Sequence, residues 1–370
     1  MTTSDGRTTT ERPGRLGDPT RNLRTDPRTD PRIVDALTPF GLDQNSAPPP
    51  LRPDAPREHL LEFVRGAEAA FEGVFAALVD DLQPIAGLDH RTETIPGPVG
   101  NDIPLYVTRP ADAAAPLPAI LYLHGGGMVM LKGSGPVYAR FHDELAATGL
   151  VVVGVEFRNG GGELGPHPFP AGLDDCATAL AWVHEHRAEL GISTITVAGE
   201  SGGGNLALAT AIRAKREGRL AAVDGVCALV PSISGLYGGD AGEREAALPS
   251  LVENDEYFMS CSLAAVLAEV YDPGAAHAVD PLCWPYHATA QDLTGLPPHL
   301  ISVNELDPLR DEGLAYHRTL VEAGVEATSR MVAGACHAGD LMLRAAAPDL
   351  YRATVESVHR FAAGLTGSEP

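Results

Sequence analysis

The segment Thr194–Glu200, TITVAGE, continues into Ser201-Gly202-Gly203-Gly204 and then into NLALATAIRAKREG, which ends at Gly218. The apolar first part predicts a buried strand, and the last part predicts a helix that ends in basic residues and glycine, as the helix dipole favours. Between them lies a G-x-S-x-G pattern. A serine on such a sharp strand-to-helix turn projects its hydroxyl above the sheet, and the flanking glycines avoid collisions in the turn. We therefore predict that Ser201 is a nucleophile.

Strand and helix patterns alternate on both sides of this turn. A hairpin is predicted around the turn at 98–102. Further strands are predicted at 118–123, 151–157, 225–231, 299–305 and 326–334, with helical patterns between most of them. This alternation predicts an α/β fold with a mostly parallel central sheet that is flanked by helices.

A second glycine cluster, His124-Gly125-Gly126-Gly127, follows the predicted strand AILYL. Such glycines let backbone N–H groups approach a substrate oxygen and stabilise the oxyanion of a tetrahedral intermediate. We predict Gly126, Gly127 and the amide of Gly202 as these donors. His124 comes too early in chain order to be the catalytic base, so we expect it to brace this loop.

The acid and the base are expected at the ends of the last two strands. Asp307 follows the strand HLISV, and Pro308 fixes the turn beyond it; Glu305 is the second candidate. Asp311 and Glu312 have the character of first-turn helix residues. His337 follows the final strand, and the chain order Ser201, Asp307, His337 is the one expected for a nucleophile on such a turn.

Together these motifs resemble the hormone-sensitive-lipase-like carboxylesterases, the bacterial family IV esterases, over about residues 90 to 363. The resemblance implies an α/β-hydrolase fold with a helical cap, and acyl-enzyme hydrolysis of esters with short to medium acyl chains. Lactones and aromatic esters are further candidates. Two residues depart from the family pattern: Gly202 stands where alanine is usual, and Ala338 where glycine is usual.

We expect four segments in the chain. Residues 1–32 are predicted to be a disordered or loosely packed tail, 33–90 an N-terminal cap segment, 91–234 with 286–370 the core, and 235–285 a cap insertion. The amphipathic pattern at 60–78 predicts a long helix, either part of a lid or a peripheral packing helix. Candidate pocket residues are Met128, Val129, Leu131, Phe157, Asn205, Tyr257, Phe258 and Met259.

Composition narrows the function classes. A formal net charge of −22 argues against nucleic-acid and anionic-membrane partners and favours a neutral small-molecule ester. The five scattered cysteines, the absence of a secretory leader and the absence of a long apolar run predict a cytoplasmic protein. We expect no metal and no cofactor, because no zinc-binding histidine pattern occurs. The oligomeric state is open between monomer and homodimer.

Two alternatives remain at the level of sequence. The same three groups could serve an amide hydrolase or an acyltransferase. A non-catalytic ligand-binding relative is also conceivable on this scaffold, because function follows the site and not the fold, but such proteins lack one of the three groups.

Overall fold

A computed structural model describes residues 12–365 of the chain. Its strands are β1 Leu88–Pro96, β2 Asp102–Pro110, β3 Leu117–Leu123, β4 Val151–Val155, β5 Ile192–Glu200, β6 Gly225–Leu229, β7 His299–Leu306 and β8 Ala327–Cys336. They form one sheet in the order β1-β2-β4-β3-β5-β6-β7-β8. β2 pairs antiparallel with both β1 and β4, and all other neighbours are parallel. The predicted fold class is therefore confirmed.

Helices cover both faces and one end of this sheet. They are α1 Gly14–Gly17, α2 Pro31–Leu37, α3 Arg57–Ala77, α4 Pro136–Ala146, α5 Ala171–Glu185, α6 Arg187–Leu190, α7 Gly202–Arg216, α8 Ala241–Ala247, α9 Ser250–Glu253, α10 Cys261–Tyr271, α11 Ala290–Leu293, α12 Arg310–Glu322, α13 Gly339–Met342 and α14 Pro348–Gly364. Short 3-10 turns lie at Thr38–Phe40, Leu220–Ala222, Pro273–Ala275 and Pro285–His287.

The central strands are buried on both faces, which explains their nearly continuous apolar sequences. Every residue of β4 and β6 is buried, and α7 packs against β5 and β6 at the centre of the sheet. Parallel strands covered by helices on two sides have no solvent-facing side that would require alternate polar residues. The carboxyl ends of β5, β7 and β8 consequently lie at one edge of the sheet, where Ser201, Asp307 and His337 follow them.

The two segments expected to form a cap pack against each other. Helix α3 contacts α10, and Asn45 forms an isolated β-bridge with Tyr257. The Ser46 amide donates to the Glu256 carbonyl at 2.8 Å. Residues 33–90 and 235–285 thus meet above the carboxyl edge of the sheet.

The N-terminal segment differs from its prediction. Residues 1–11 lie outside the described residues, but residues 12–32 pack onto the molecule, and Leu23 and Asp26 are buried. Arg28 donates hydrogen bonds to Asp26, Glu253 and Asn254. The sequence pattern does not predict which carboxylates this arginine contacts in the folded protein. The polar composition that suggested a loose tail instead reflects a segment held by arginine–carboxylate contacts.

Within residues 12–365, no helix combines the length and the apolar character needed to cross a membrane. All five cysteines are buried and unpaired.

Candidate active site

Ser201 occupies the turn between β5 and α7 in an unusual backbone conformation. Its φ of 54° and ψ of −117° lie outside the regions that L-residues favour. A Cβ on Gly199 would lie 2.4 Å from Gly203, and a Cβ on Gly203 would lie 1.9 Å from the Leu123 carbonyl oxygen. The glycines therefore let the strand and the helix cross closely. Strained positions of this kind cost about 1–3 kcal/mol and cluster at functional sites.

His337 bridges Ser201 and Asp307. Its Nε2 lies 3.0 Å from the Ser201 Oγ, and its Nδ1 lies 2.8 Å from the Asp307 Oδ2. All three residues are buried: Ser201 is 7%, His337 6% and Asp307 0% exposed. The structure therefore brings the three predicted residues into one hydrogen-bonded chain, the arrangement in which an imidazole can take a hydroxyl proton.

The competing carboxylates have other partners. Glu305 accepts the Gly334 amide at 2.9 Å, Asp311 accepts the Ser250 amide at 2.8 Å, and Glu312 accepts the amides of Ile233 and Ser234. Asp307 itself accepts the Leu309 amide through Oδ1 at 2.8 Å, which leaves Oδ2 directed at the imidazole. Of the four carboxylates, Asp307 is the one in contact with His337.

The electrostatic environment favours the charged form of His337. Burial lowers the pKa of this imidazole, but the charge and the hydrogen bond of Asp307 outweigh burial and leave the pKa raised above its ordinary 6.5. A raised pKa makes the imidazole a better proton acceptor, and the imidazolium that forms during attack is stabilised by the carboxylate.

The glycine loop after β3 lies beside the start of α7. Gly126 and Gly127 have φ values of 97° and 64°, which glycine adopts without steric cost. A Cβ on Gly202 would lie 2.5 Å from the Met128 amide nitrogen and 2.7 Å from the Gly127 amide nitrogen. Gly126 and Gly127 line the same pocket as Ser201. Their role as oxyanion donors, with Gly202, stays a prediction.

His124 lies beneath this loop and not in the catalytic chain. Its ring stacks on Phe157 with centroids 4.1 Å apart, and its Nδ1 is 2.9 Å from the Gly125 carbonyl oxygen. Burial lowers the pKa of His124, so the ring is neutral near pH 7. The role of His124 in bracing the loop stays a prediction.

The pocket above Ser201 encloses about 740 Å³, counting its open mouth. Four of the eight candidate pocket residues line it: Met128, Leu131, Phe258 and Met259. Lining side chains that were not pocket candidates include Phe71, Phe75, Leu263, Leu267, Tyr237 and Trp284 from the cap and from the loops after β6 and α10, and Met130, Tyr138 and Met342 from the core. The helical spacing of Phe71 and Phe75 marked α3 as amphipathic, but its partner surface depends on long-range packing. Helix α3 is therefore part of the pocket wall.

The other four pocket candidates are not among the residues that line this cavity, and each has other contacts. Val129 packs towards Gly160 and Gly161, and Phe157 stacks on His124. Asn205 donates to the carbonyls of Ser232 and Cys283, and the Tyr257 hydroxyl donates to Asp26. These four side chains do not line the pocket.

Glu200, directly before the nucleophile, was not singled out from the sequence. It lines the pocket and accepts the hydroxyls of Tyr122 and Tyr138 at 3.0 Å each. Burial raises the pKa of Glu200 to about 7, and the two tyrosine hydrogen bonds oppose this shift. Elsewhere in residues 12–365, no three His, Cys, Asp or Glu side chains are arranged to hold a metal ion.

Comparison with known proteins matches residues 120–340 to a family model described as alpha/beta hydrolase fold. Carboxylesterase NlhH of Mycobacterium tuberculosis is 36% identical over 255 residues, which cover 66% of this chain and 73% of NlhH. The structure of brefeldin A esterase, described as a bacterial homologue of human hormone sensitive lipase, superimposes with a TM-score of 0.92 at 46% identity and covers 96% of this chain and 99% of that one. Esterase Est22 superimposes with a TM-score of 0.80 at 36% identity and covers 93% and 100%.

Proposed function

The chain belongs to the alpha/beta hydrolase fold family and is a carboxylic-ester hydrolase, and from that premise we propose that it works through an acyl-enzyme formed on Ser201. The observation that carries this proposal is the hydrogen-bonded chain from Ser201 through His337 to Asp307. These three residues follow three different strands of the sheet. Polar groups that met by chance would have no reason to align as hydroxyl, imidazole and carboxylate in this order.

In the first half of the proposed reaction, the Ser201 Oγ attacks the ester carbonyl carbon while His337 Nε2 takes the hydroxyl proton. The carbonyl oxygen becomes an oxyanion, which the amides of Gly126, Gly127 and Gly202 stabilise. Asp307 holds the imidazole through Nδ1 and stabilises its charged form. When the tetrahedral intermediate collapses, the ester C–O bond breaks, and His337 gives its proton to the leaving alcohol.

In the second half, water attacks the acyl-enzyme carbonyl and gives a proton to His337 Nε2. Collapse of the second tetrahedral intermediate breaks the bond to Ser201, which regains the proton, and the carboxylic acid leaves. The same three groups thus serve both halves, and the enzyme returns to its starting state.

The pocket supports an uncharged ester as substrate. Phe71, Phe75, Leu263 and Leu267 present apolar surface, and the charge of the chain, −22, disfavours anionic ligands. We infer that acyl chains of short to medium length are accepted, with lactones and aromatic esters as further candidates.

The test compares Ser201→Ala with Ser262→Ala, a control on the exposed side of α10. With p-nitrophenyl esters of increasing acyl length, Ser201→Ala is expected to lose about 10⁴-fold or more in kcat, whereas Ser262→Ala stays at the wild-type value. A serine-directed phosphonate should modify wild type at Ser201, as mass spectrometry of peptides would show. Wild-type turnover by Ser201→Ala, or modification elsewhere, would overturn the assignment.

A further inference from the structure

A carboxylate on the cap holds two loops of the core at once. Glu68 lies on α3, is 5% exposed, and its Oε1 accepts the Leu131 amide at 2.7 Å. Its Oε2 accepts the Glu163 amide at 2.8 Å. Leu131 ends the glycine loop that begins at Gly125, and Glu163 lies in the loop after β4. One side chain therefore links the N-terminal helix to the segment that carries the predicted oxyanion donors.

The loop that Glu68 holds is strained. Met128 and Leu131 have φ values of 61° and 74°, a left-handed conformation that costs side-chain-bearing residues free energy. Such positions persist only when their surroundings over-determine them. Leu131 is held on both sides, because its amide donates to Glu68 and its carbonyl accepts the Asn159 side-chain amide at 2.7 Å. Inside the loop, the Gly126 carbonyl accepts the amides of Val129 and Met130 at 3.1 Å, so Gly126 is bonded to the residue directly before Leu131.

The close approach of Glu68 also constrains the second loop. Gly162 has a φ of 62°, and a Cβ there would lie 2.6 Å from the Glu68 Oε1. The glycine at this position therefore leaves room for the carboxylate.

The two backbone amides supply the partners that this buried charge needs. Among residues 12–365, no Lys, Arg or His nitrogen forms an ion pair with Glu68. The neighbouring Lys132 pairs with Glu72 and Glu163. A buried carboxylate that lost its amide donors would be strongly destabilised. Docking of α3 with Glu68 in place and the strained form of the glycine loop thus stabilise each other.

We propose that Glu68 is a positioning residue that couples docking of the cap helix α3 to formation of the oxyanion site. The proposal rests on the proposed esterase mechanism and extends it, because it assigns to the cap a part in transition-state stabilisation in addition to enclosing the pocket.

The decisive variant is Glu68→Gln, which keeps the shape of the side chain but presents a donor NH₂ to one of the two amides. Its matched control is Glu72→Gln, one helical turn further on α3, whose carboxylate pairs with Lys132. Three quantities are measured for both: kcat and KM with a p-nitrophenyl ester, and the inhibition constant of an alkyl trifluoromethyl ketone. This ketone forms a tetrahedral oxyanion adduct, so its affinity reports the oxyanion site.

Glu68→Gln is expected to lower kcat about 10²-fold and to weaken the trifluoromethyl ketone in parallel, with KM within about threefold of wild type. Glu72→Gln should leave all three quantities within about twofold. Gly162→Ala, which displaces the carboxylate from the other side, should reproduce the Glu68→Gln pattern. Assays are run at least 15 °C below each melting midpoint (about that margin keeps over 99% folded for a domain of this size).

A folded Glu68→Gln or Gly162→Ala protein with wild-type kcat and ketone affinity would overturn the proposal, as would a rise in KM alone. Either result is distinguishable from failure of the esterase mechanism. That mechanism fails if Ser201→Ala retains turnover or the phosphonate modifies another residue, and neither measurement involves Glu68.

Discussion

Adding one methyl group at Gly202 should disable the oxyanion site without removing any catalytic group. The structure places an added Cβ 2.5 Å from the Met128 amide nitrogen, 2.7 Å from the Gly127 nitrogen and 2.8 Å from the Gly127 Cα. These are backbone atoms of the glycine loop, so no side chain can rotate away to relieve the contact. In Gly202→Ala, either the loop or the first turn of α7 has to move.

The size of that movement follows from the contact distance. Restoring an ordinary contact of 3.4 Å to the Met128 nitrogen requires a shift of about 0.9 Å. A misplacement of about 1 Å can cost about 10²-fold in rate, and loss of one oxyanion donor costs about 10²–10³-fold in kcat. We therefore expect kcat for p-nitrophenyl butyrate to fall about 10²-fold. KM should change little, because the ground-state ester depends less on these donors.

The matched control is Gly204→Ala, two residues further along the same helix. Its Cβ would lie 3.1 Å from Pro231 and 3.3 Å from the Gly199 carbonyl oxygen, so its three nearest neighbouring atoms lie outside the glycine loop. This variant should keep kcat within a few-fold of wild type, even if its melting temperature falls. The test is demanding because alanine is the usual residue at position 202 in the hormone-sensitive-lipase-like esterases that the chain resembles. If folded Gly202→Ala retains kcat within about threefold, the close packing of the loop on α7 does not set the oxyanion geometry.

Two further predictions concern buried titratable groups. Asp307→Asn should lower kcat about 10⁴-fold. The substitution removes the charge of Asp307, the largest cause that raises the His337 pKa, and leaves burial opposed by the charges of Glu200 and Glu312. The acid limb of kcat/KM, which requires the neutral imidazole, should therefore move to lower pH, and an unmoved limb would contradict the assigned role of Asp307. In wild type, burial raises the pKa of Glu200 from 4.5 to about 7, so the free energy of unfolding falls as the pH rises between these two values. Glutamine does not titrate. The unfolding free energy of Glu200→Gln relative to wild type should therefore increase by about 2 kcal/mol between pH 5 and pH 8. Denaturant unfolding at the two pH values checks this, and an equal difference at both would refute the buried-carboxyl interpretation.

The sheet and the three aligned residues were accessible from sequence because each rests on short-range information. Ser201 lies on a turn whose glycines are adjacent in the chain, and Asp307 and His337 immediately follow strands with clear apolar patterns. Choosing Asp307 over Glu305 required only the position of a proline. The hydrogen-bond partners of the competing carboxylates, by contrast, come from residues 29 to 79 positions away, and only the folded chain reveals them.

The pocket was half predicted for the same reason. Met128 and Leu131 follow the glycine loop directly, and Phe258 and Met259 lie in the insertion, so local reasoning reached them. Phe71 and Phe75 enter the pocket because α3 docks against α10, a contact between segments separated by about 190 residues. The tail at 12–32 was misjudged because its arginines find carboxylates only in the folded protein. Composition records the charges of such a segment but not their partners.

The N-terminal segment that was misjudged contacts residues next to the proposed catalytic acid. Arg28 bonds Glu253 and Asn254; Glu253 holds Arg310, and the Asn254 side chain donates to the Asp307 carbonyl at 3.1 Å. The N-terminal residues therefore support the backbone of Asp307, the proposed catalytic acid, through Glu253 and Asn254.

Glu68, at the other end of the N-terminal region, braces the glycine loop. Both supports act on backbone near the proposed catalytic groups: the loop of Asp307, and the left-handed Leu131, which Asn159 of the core also holds. It follows that the segment before β1 contacts the loops on which the proposed chemistry depends, through Glu68 directly and through Asn254 indirectly.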